Sequence, residues 1–166
     1  MAGCGARRSL LHRTQPARGV VLLVLLLTLM LGAIGAMAAV DVYATARQRE
    51  QEAELLFVGE QYRQAIRRYY FGAPPGQVKA LPLSLQDLLE DRRYPQPVRH
   101  LRRLYLDPMT PEGEWALLMQ DNRIVGVHSL SRAQPLKQKG FTAVQAAFEG
   151  RSSYAEWVFR FQAPGR

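Results

Sequence analysis

The feature that most constrains this chain is an apolar run near its N-terminus. Residues 20–40 contain no charged side chain, and Thr28 is the only one with an ordinary polar side chain. A helix of these 21 residues is about 32 Å long at ~1.5 Å per residue, close to the ~30 Å hydrocarbon core of a bilayer. Four arginines and no acidic residue precede the run. The positive-inside bias therefore predicts an N-terminus in the cytoplasm and a remainder in a periplasm or outside the cell.

The chain beyond residue 40 is only mildly basic. The formal net charge of +8 includes the four N-terminal arginines, whereas the later residues comprise 18 basic and 14 acidic side chains. The basic balance therefore does not by itself predict a nucleic-acid-binding protein. Cys4 is the single cysteine, which excludes an internal disulfide and a cluster of metal-binding thiolates.

Three kinds of processing are compatible with this N-terminus. A secretory signal peptide needs an A-x-A cleavage site, and residues 36–38 supply one, although the apolar core before them is long for a signal. A cut after Gly19 would instead leave the apolar run on the mature protein. An uncut run would serve as a single-pass anchor.

The segment QPARG followed by VVLLVLLLTLMLGAIGAMAAVDVYATARQRE resembles the N-terminus of the prepilin class, which comprises type IV pilins and type II secretion pseudopilins. The resemblance implies that a prepilin peptidase cuts after Gly19, that Val20 becomes the methylated N-terminal residue, and that the apolar helix is retained for assembly. Val24 departs from the family pattern, because most members carry there a glutamate thought to pair with a neighbouring subunit's terminal amine. The departure favours a minor or tip subunit over a major repeating one.

Small residues within the apolar run recur four positions apart, as in the pairs Gly32/Ala36 and Gly35/Ala39. Such spacing lets helices approach closely in lipid, where van der Waals contact drives association. We therefore expect these four residues to form helix contacts between subunits. The family resemblance implies further partners, namely other pilin or pseudopilin subunits, the prepilin peptidase, an inner-membrane assembly platform and membrane lipid.

The helix is predicted to continue beyond the apolar run. Gly59 is the only helix breaker between Asp41 and the Gly/Pro-rich stretch at 72–76, and a glycine inside a helix costs about 1 kcal/mol. Apolar residues recur at spacings of three and four from residue 55 to residue 69, which predicts one buried stripe. A single helix over 20–70 accounts for this pattern, and two helices separated near Asp41 are the alternative.

Four segments are predicted from these patterns. A basic leader peptide covers 1–19, and the transmembrane half of the helix covers 20–40. The amphipathic half covers 41–71 and packs on a C-terminal α+β head over 72–166.

The head sequence predicts short elements separated by turns. Ser84 and Asp87 form a capping box before a short helix that begins at 85, and 98–106 is predicted to add one or two helical turns. Strands are predicted over 114–120 and 123–130, joined by a turn at 121–122, and again over 154–162, with a short helix over 141–150. An α+β, pilin-like fold follows, with the long helix packed on an antiparallel sheet of about three strands.

A second resemblance covers part of the head. LRRLYLDPMTPEGEWALL is similar to the stretch of major pseudopilins in which a leucine-rich turn leads through Asp-Pro and a polar loop into the first strand. Asp107 and Pro108 are the matching pair, and IVGVHSLS resembles the strand that ends in a serine turn. Some of these proteins bind calcium in the next loop, but SRAQPLKQKG contains no acid. Because hard cations need oxygen ligands, usually carboxylates, we expect no calcium there, and no other metal or cofactor.

The chain contains no recognisable catalytic or metal-binding motif, and we expect no enzymatic activity. Its most specific surface feature is a run of five arginines: Arg92, Arg93, Arg99, Arg102 and Arg103. Such a patch can bind anionic groups, including phosphates. We expect either a solvated face partly paired with nearby acids or a docking face for another subunit, and we do not expect nucleic acid as a partner.

The expected function is therefore that of a pseudopilin-like structural subunit of a type II secretion or type IV pilus assembly. The subunit would cross the bacterial inner membrane once, with a cytoplasmic N-terminus and a periplasmic head. Two other functions stay open. One is an anchored periplasmic binding or assembly-factor protein that does not polymerise, and the other is a secreted soluble domain cut after Ala38.

Overall fold

The computed structural model describes residues 18–164, without the side chains at 18 and 34–40. The predicted leader, except for its last two residues, lies outside this range. The chain forms two compact units that meet between Ala44 and Thr45, and each is described by itself. The long helix is α1 (Arg18–Phe71), and the strands are β1 (Trp115–Gln120), β2 (Arg123–Ser129) and β3 (Phe159–Arg160). Three short 3-10 helices complete the set: Leu85–Leu88, Ala143–Phe148 and Tyr154–Glu156.

Helix α1 covers the predicted range 20–70 as a single helix. In the second unit its predicted apolar stripe forms one side of the core, where each member is at most 7% exposed: Leu55, Val58, Tyr62, Ile66 and Tyr69. Spacings of three and four residues place these side chains on one face of a 3.6-residue helix. The helix ends where the N–H of Gly72 donates to the carbonyl of Arg68 at 2.8 Å.

The sheet contains the predicted three antiparallel strands in the order β1-β2-β3. The turn between β1 and β2 consists of Asp121 and Asn122, with φ of 51° and 58°. Two left-handed residues match the right-handed twist of a tight hairpin, and Asn and Asp tolerate that conformation better than most residues. The α+β class and the small antiparallel sheet are therefore confirmed.

Strand β2 contains a bulge that its sequence pattern does not reveal. Leu118 is opposite Gly126, and Met119 is opposite Ile124, so Val125 has no opposite residue on β1. The extra residue breaks the simple alternation of faces. As a result, Ile124 and Val127 both enter the core, with 0% exposure.

Sheet and helix approach most closely at Gly59. A Cβ atom built there would lie 2.4 Å from the ring of Phe159, which is itself 1% exposed. The ring of Phe159 also packs edge-on against Trp115 and Phe148, with centroids 6.4 and 5.1 Å apart. Glycine at this position is therefore a packing requirement, and not merely a tolerated interruption of the helix.

Two predicted elements differ from the structure. Residues 98–106 are not helical, since they form an irregular connection whose Val98 makes an isolated bridge with Asp91. Only Phe159–Arg160 of the predicted strand 154–162 pairs with β2, and Tyr154–Glu156 is a 3-10 turn. Both segments contain apolar side chains at spacings that favour regular elements. Contacts with residues far away in the chain determine their conformation instead.

The other short helices lie where they were expected, although they are 3-10 turns. Ser84 is the N-cap of Leu85–Leu88, and the carboxylate of Asp87 accepts the N–H of Ser84 at 3.0 Å. Thr142 is the N-cap of Ala143–Phe148. The predicted capping box at Ser84 and Asp87 is therefore confirmed.

Candidate functional site

The first candidate site is the apolar segment of α1 in the first unit. Eleven large apolar side chains between Val20 and Leu31 are each 51–69% exposed. They lie on all sides of the helix, because they occupy nearly every consecutive position. The hydroxyl of Thr28 donates to the carbonyl of Leu25 at 2.8 Å, so its hydrogen-bonding requirement is met within the helix. The segment therefore presents an almost wholly apolar surface.

The residues predicted to take part in cleavage and in helix contact lie in the first unit. A Cβ atom added at Gly19 or at Gly32 would meet no other heavy atom within 4 Å. Val20 is exposed. Gly35, Ala36 and Ala39 belong to α1, but their side chains lie outside the described residues. The structure thus has open space for a Cβ atom at Gly32, and it does not describe the contacts expected of the other three.

Within the part of the chain that the structure describes, no helix combines the length and the apolar character needed to cross a membrane.

The second candidate site is the arginine run of the head, which the structure divides. Arg92, Arg99, Arg102 and Arg103 are exposed. Arg93 instead folds inward, where it pairs with Asp91 at 2.6 Å and lies 3.6 Å from the ring centre of Tyr69. Arg93 is therefore part of the packing around the end of α1, and the exposed part of the run consists of the other four arginines.

Asp91 is the centre of a buried polar cluster that the sequence analysis did not identify. Its side chain is 0% exposed and accepts hydrogen bonds from Arg93 at 2.6 Å and from Nε2 of His100 at 3.0 Å. Arg93 also donates to the carbonyl of Tyr69 at 2.6 Å. The cluster ties the connection 89–103 to the end of α1. The expected pairing of the arginines with nearby acids therefore occurs here as a buried network.

The pKa of Asp91 reflects two opposed effects. Burial by itself would raise the pKa, but hydrogen bonds from Arg93 and His100 favour the ionised carboxylate and lower its pKa from 3.8 to about 2. A group with a lowered folded-state pKa stabilises the protein above its unfolded-state pKa. That contribution is lost as pH falls through the folded-state value.

We expect acid to destabilise the head through Asp91. Between about pH 4 and pH 2 the stability should fall by about 2 kcal/mol on account of this residue. Tryptophan fluorescence during urea unfolding of the full chain in neutral detergent measures it, because both tryptophans, Trp115 and Trp157, lie in the head. In Asp91→Asn the loss over this pH range should be smaller, and an identical acid profile would contradict the assignment.

A second buried acid holds the loop after β2. Glu52 is 4% exposed, and one of its carboxylate oxygens accepts the N–H of Leu136 at 2.5 Å, the N–H of Lys137 at 3.2 Å and the hydroxyl of Tyr154 at 2.8 Å. Burial, with the added charge of Glu52, raises the pKa of Tyr154 to about 12. Glu52 lies three residues before Leu55 and so continues the spacing of the apolar stripe. This position in the sequence could have identified Glu52 as a buried residue.

The Asp-Pro pair of the second resemblance contacts the serine turn. The hydroxyl of Ser129 donates to Asp107 at 2.6 Å, and Asp107 also accepts the N–H of Met109 at 2.9 Å. Ser129 in turn accepts the N–H of Ser131 at 3.0 Å. The two segments that resemble pseudopilins are thus linked directly by buried polar groups, since Asp107 is 2% and Ser129 0% exposed.

The titratable groups of the head form structural contacts. His100 bonds Asp91, and Nδ1 of His128 lies 3.0 Å from the carbonyl of Ser129. Within the described part of the chain, no group of three or more His, Cys, Asp or Glu side chains is placed to hold a metal ion. Comparisons with protein-family models, curated proteins and solved structures find no match to this chain.

Proposed function

We propose that this chain is a pseudopilin-like structural subunit of a type II secretion or type IV pilus assembly. The observation that carries the proposal is the exposure, at 51–69%, of the eleven large apolar side chains from Val20 to Leu31. Complete transfer of such a side chain from water to an apolar environment is worth roughly 1.5–3 kcal/mol, and a side chain that starts about half exposed gains part of this. Eleven of them on one helix therefore favour a cover that the described residues do not provide.

The apolar segment of such a subunit would be covered first by membrane lipid and then, after assembly, by the helices of other subunits. Before assembly, membrane lipid surrounds the segment, and the uncharged stretch 20–40 supports insertion with the N-terminus in the cytoplasm. On assembly, an inner-membrane platform lifts the subunit out, and helices of neighbouring subunits replace the lipid. The head then lies on the periplasmic side and contacts its neighbours.

Val24 gives the non-polymerising alternative its support. Valine cannot form the ion pair with a neighbour's terminal amine that the family's usual glutamate is thought to make. A single-pass anchored protein would need neither the pair nor the cut after Gly19. We retain the subunit proposal because the spacing of the small residues at 32–39 would let helices approach one another closely.

The mature N-terminus tests the proposal. We expect mass spectrometry of the protein, expressed with a prepilin peptidase, to find a chain that begins at Val20 with a methylated amine. A chain that begins at Met1 would support the anchored protein, and one that begins at Ala39 would support the secreted domain. Either of these results would overturn the proposal.

Two substitutions make the experiment specific. Gly19→Val should lower the processed fraction at least about tenfold, and the open space at Gly19 means that the subunit itself can accept the side chain. Ala38→Leu is the matched control, because it removes the A-x-A site and should leave cleavage after Gly19 unchanged. Equal processing of Gly19→Val and the wild type would contradict a cut at this position.

A further inference from the structure

A groove on the head carries basic side chains that the proposed function does not use. It has a volume of about 880 Å³ and contains Lys79, Arg123 and Arg160. We call it the basic groove. Its apolar wall includes Tyr70 and Phe161. It is separate from the arginine run, since none of the five arginines of that run lines it.

The cations of the basic groove are held in place by neutral groups. Arg123 donates through Nη1 to the carbonyl of Leu81 at 2.6 Å, and Arg160 donates through Nη2 to the side-chain oxygen of Gln120 at 3.1 Å. The ammonium of Lys79 lies 5.2 Å from the ring centre of Phe71. A neutral acceptor orients a guanidinium without cancelling its charge. These arginines are therefore positioned and still able to bind an anion.

The charge of the groove is unbalanced. Among the residues that the structure describes, none of its three cations forms an ion pair with a carboxylate within 4.0 Å. Asp121 is the single acidic residue of the lining. By contrast, Arg93 meets the carboxylate of Asp91 at 2.6 Å. The described lining of the groove thus has an excess of about two positive charges, which favours an acidic partner.

The apolar wall of the groove indicates which kind of apolar group the partner would contribute. The ring centres of Tyr70, Phe71 and Phe161 lie 5.3–6.0 Å from one another, and the ring planes meet at 53–85°. Rings that meet at such angles cover part of one another's faces, and Phe161 is only 6% exposed. The wall therefore offers little flat ring surface. Such a surface suits aliphatic side chains better than stacked bases, which need flat and open ring faces.

We propose that the basic groove binds an acidic peptide segment of a partner protein, in which carboxylates alternate with aliphatic side chains. Carboxylates would contact Lys79, Arg123 and Arg160, and the aliphatic side chains would cover Tyr70 and Val78, of which Val78 is 88% exposed. Arginine suits this task because its planar guanidinium can bond both oxygens of a carboxylate. The proposal concerns the head alone and does not depend on cleavage or assembly of the helix.

The test uses the full chain in a neutral detergent and a fluorescein-labelled octapeptide of alternating Glu and Leu. Fluorescence anisotropy should show saturable binding, and a peptide of alternating Gln and Leu should bind at least about tenfold more weakly. Lys79→Gln with Arg160→Gln should raise the Kd for the acidic peptide at least about tenfold. Arg123 is kept, because its substitution would also remove the bond to Leu81.

The matched control is Arg132→Gln with Lys139→Gln. It changes the net charge equally on an exposed arginine and an exposed lysine outside the basic groove, so the Kd should change less than about twofold. An equal loss in both variants would show general charge attraction and overturn the proposal. Tighter binding of an eight-nucleotide oligo-dT than of the acidic peptide would assign the groove to nucleic acid instead. Absence of acidic-peptide binding in wild-type protein whose tryptophan fluorescence is native would also overturn it.

Discussion

Replacing Gly32 with leucine is expected to weaken helix-mediated association at least about tenfold and to leave the individual subunit folded. An added Cβ at Gly32 meets nothing within 4 Å in the single chain, and leucine is a better helix former than glycine by about 1 kcal/mol. Between two helices, however, the leucine side chain would hold the backbones apart at the position where close contact is proposed. Association should fall at least about tenfold, which corresponds to 1.4 kcal/mol.

Single-cysteine crosslinking in membranes measures this association. Cys4 is the one native cysteine, so a Cys4→Ser background with cysteine at Leu29 reports contacts near Gly32 without interference. Met30→Leu is the control, since position 30 lies about 200° around the helix from Gly32 and the substitution conserves volume. If Gly32→Leu crosslinks as efficiently as this control, Gly32 is not at a helix interface.

Gly59→Val should destabilise the head by about 3 kcal/mol. The valine Cβ alone would overlap the ring of Phe159, which is confined by Trp115 and Phe148. The better helix propensity of valine offsets only a few tenths of a kcal/mol of this cost. Urea unfolding followed by tryptophan fluorescence gives the change in the free energy of unfolding.

A double-mutant cycle identifies the clash as the cause. Phe159→Leu removes the ring from above Gly59, so Gly59→Val should cost at least about 1 kcal/mol less in that background than in the wild type. Ala53→Val, on the exposed side of the same helix, is the control for helix propensity and should stay within about 0.5 kcal/mol of the wild type. Additive effects of Gly59→Val and Phe159→Leu would contradict the packing explanation.

The two substitutions illustrate different kinds of glycine in one helix. From the sequence, Gly59 is an interruption that a long helix can tolerate, and Gly32 is a contact residue. In the structure Gly59 is the position that permits the sheet to approach, while Gly32 lies in open space. The difference could not be predicted, because it depends on Phe159, which is a hundred positions away from Gly59 in the chain.

The same dependence on distant residues explains why the sequence did not predict the burial of one arginine in the run. Five arginines within twelve positions predicted one basic surface. The inward turn of Arg93 depends on Tyr69, which is 24 positions earlier, and on the buried carboxylate of Asp91. Glu52 and Tyr154 meet across 102 positions. No local spacing encodes partners at such separations.

By itself, the sequence determined the features that depend on neighbouring residues. Helical periodicity placed the buried stripe of α1, turn-forming Asp121 and Asn122 placed the hairpin, and Ser84 with Asp87 placed a capping box. The tertiary structure alone decided the bulge at Val125, the shortness of β3, the burial of Arg93 and the cations left unmatched in the basic groove. The physical reason is that propensity and period act over one or two turns. Burial and charge pairing depend on which distant segments the fold brings into contact.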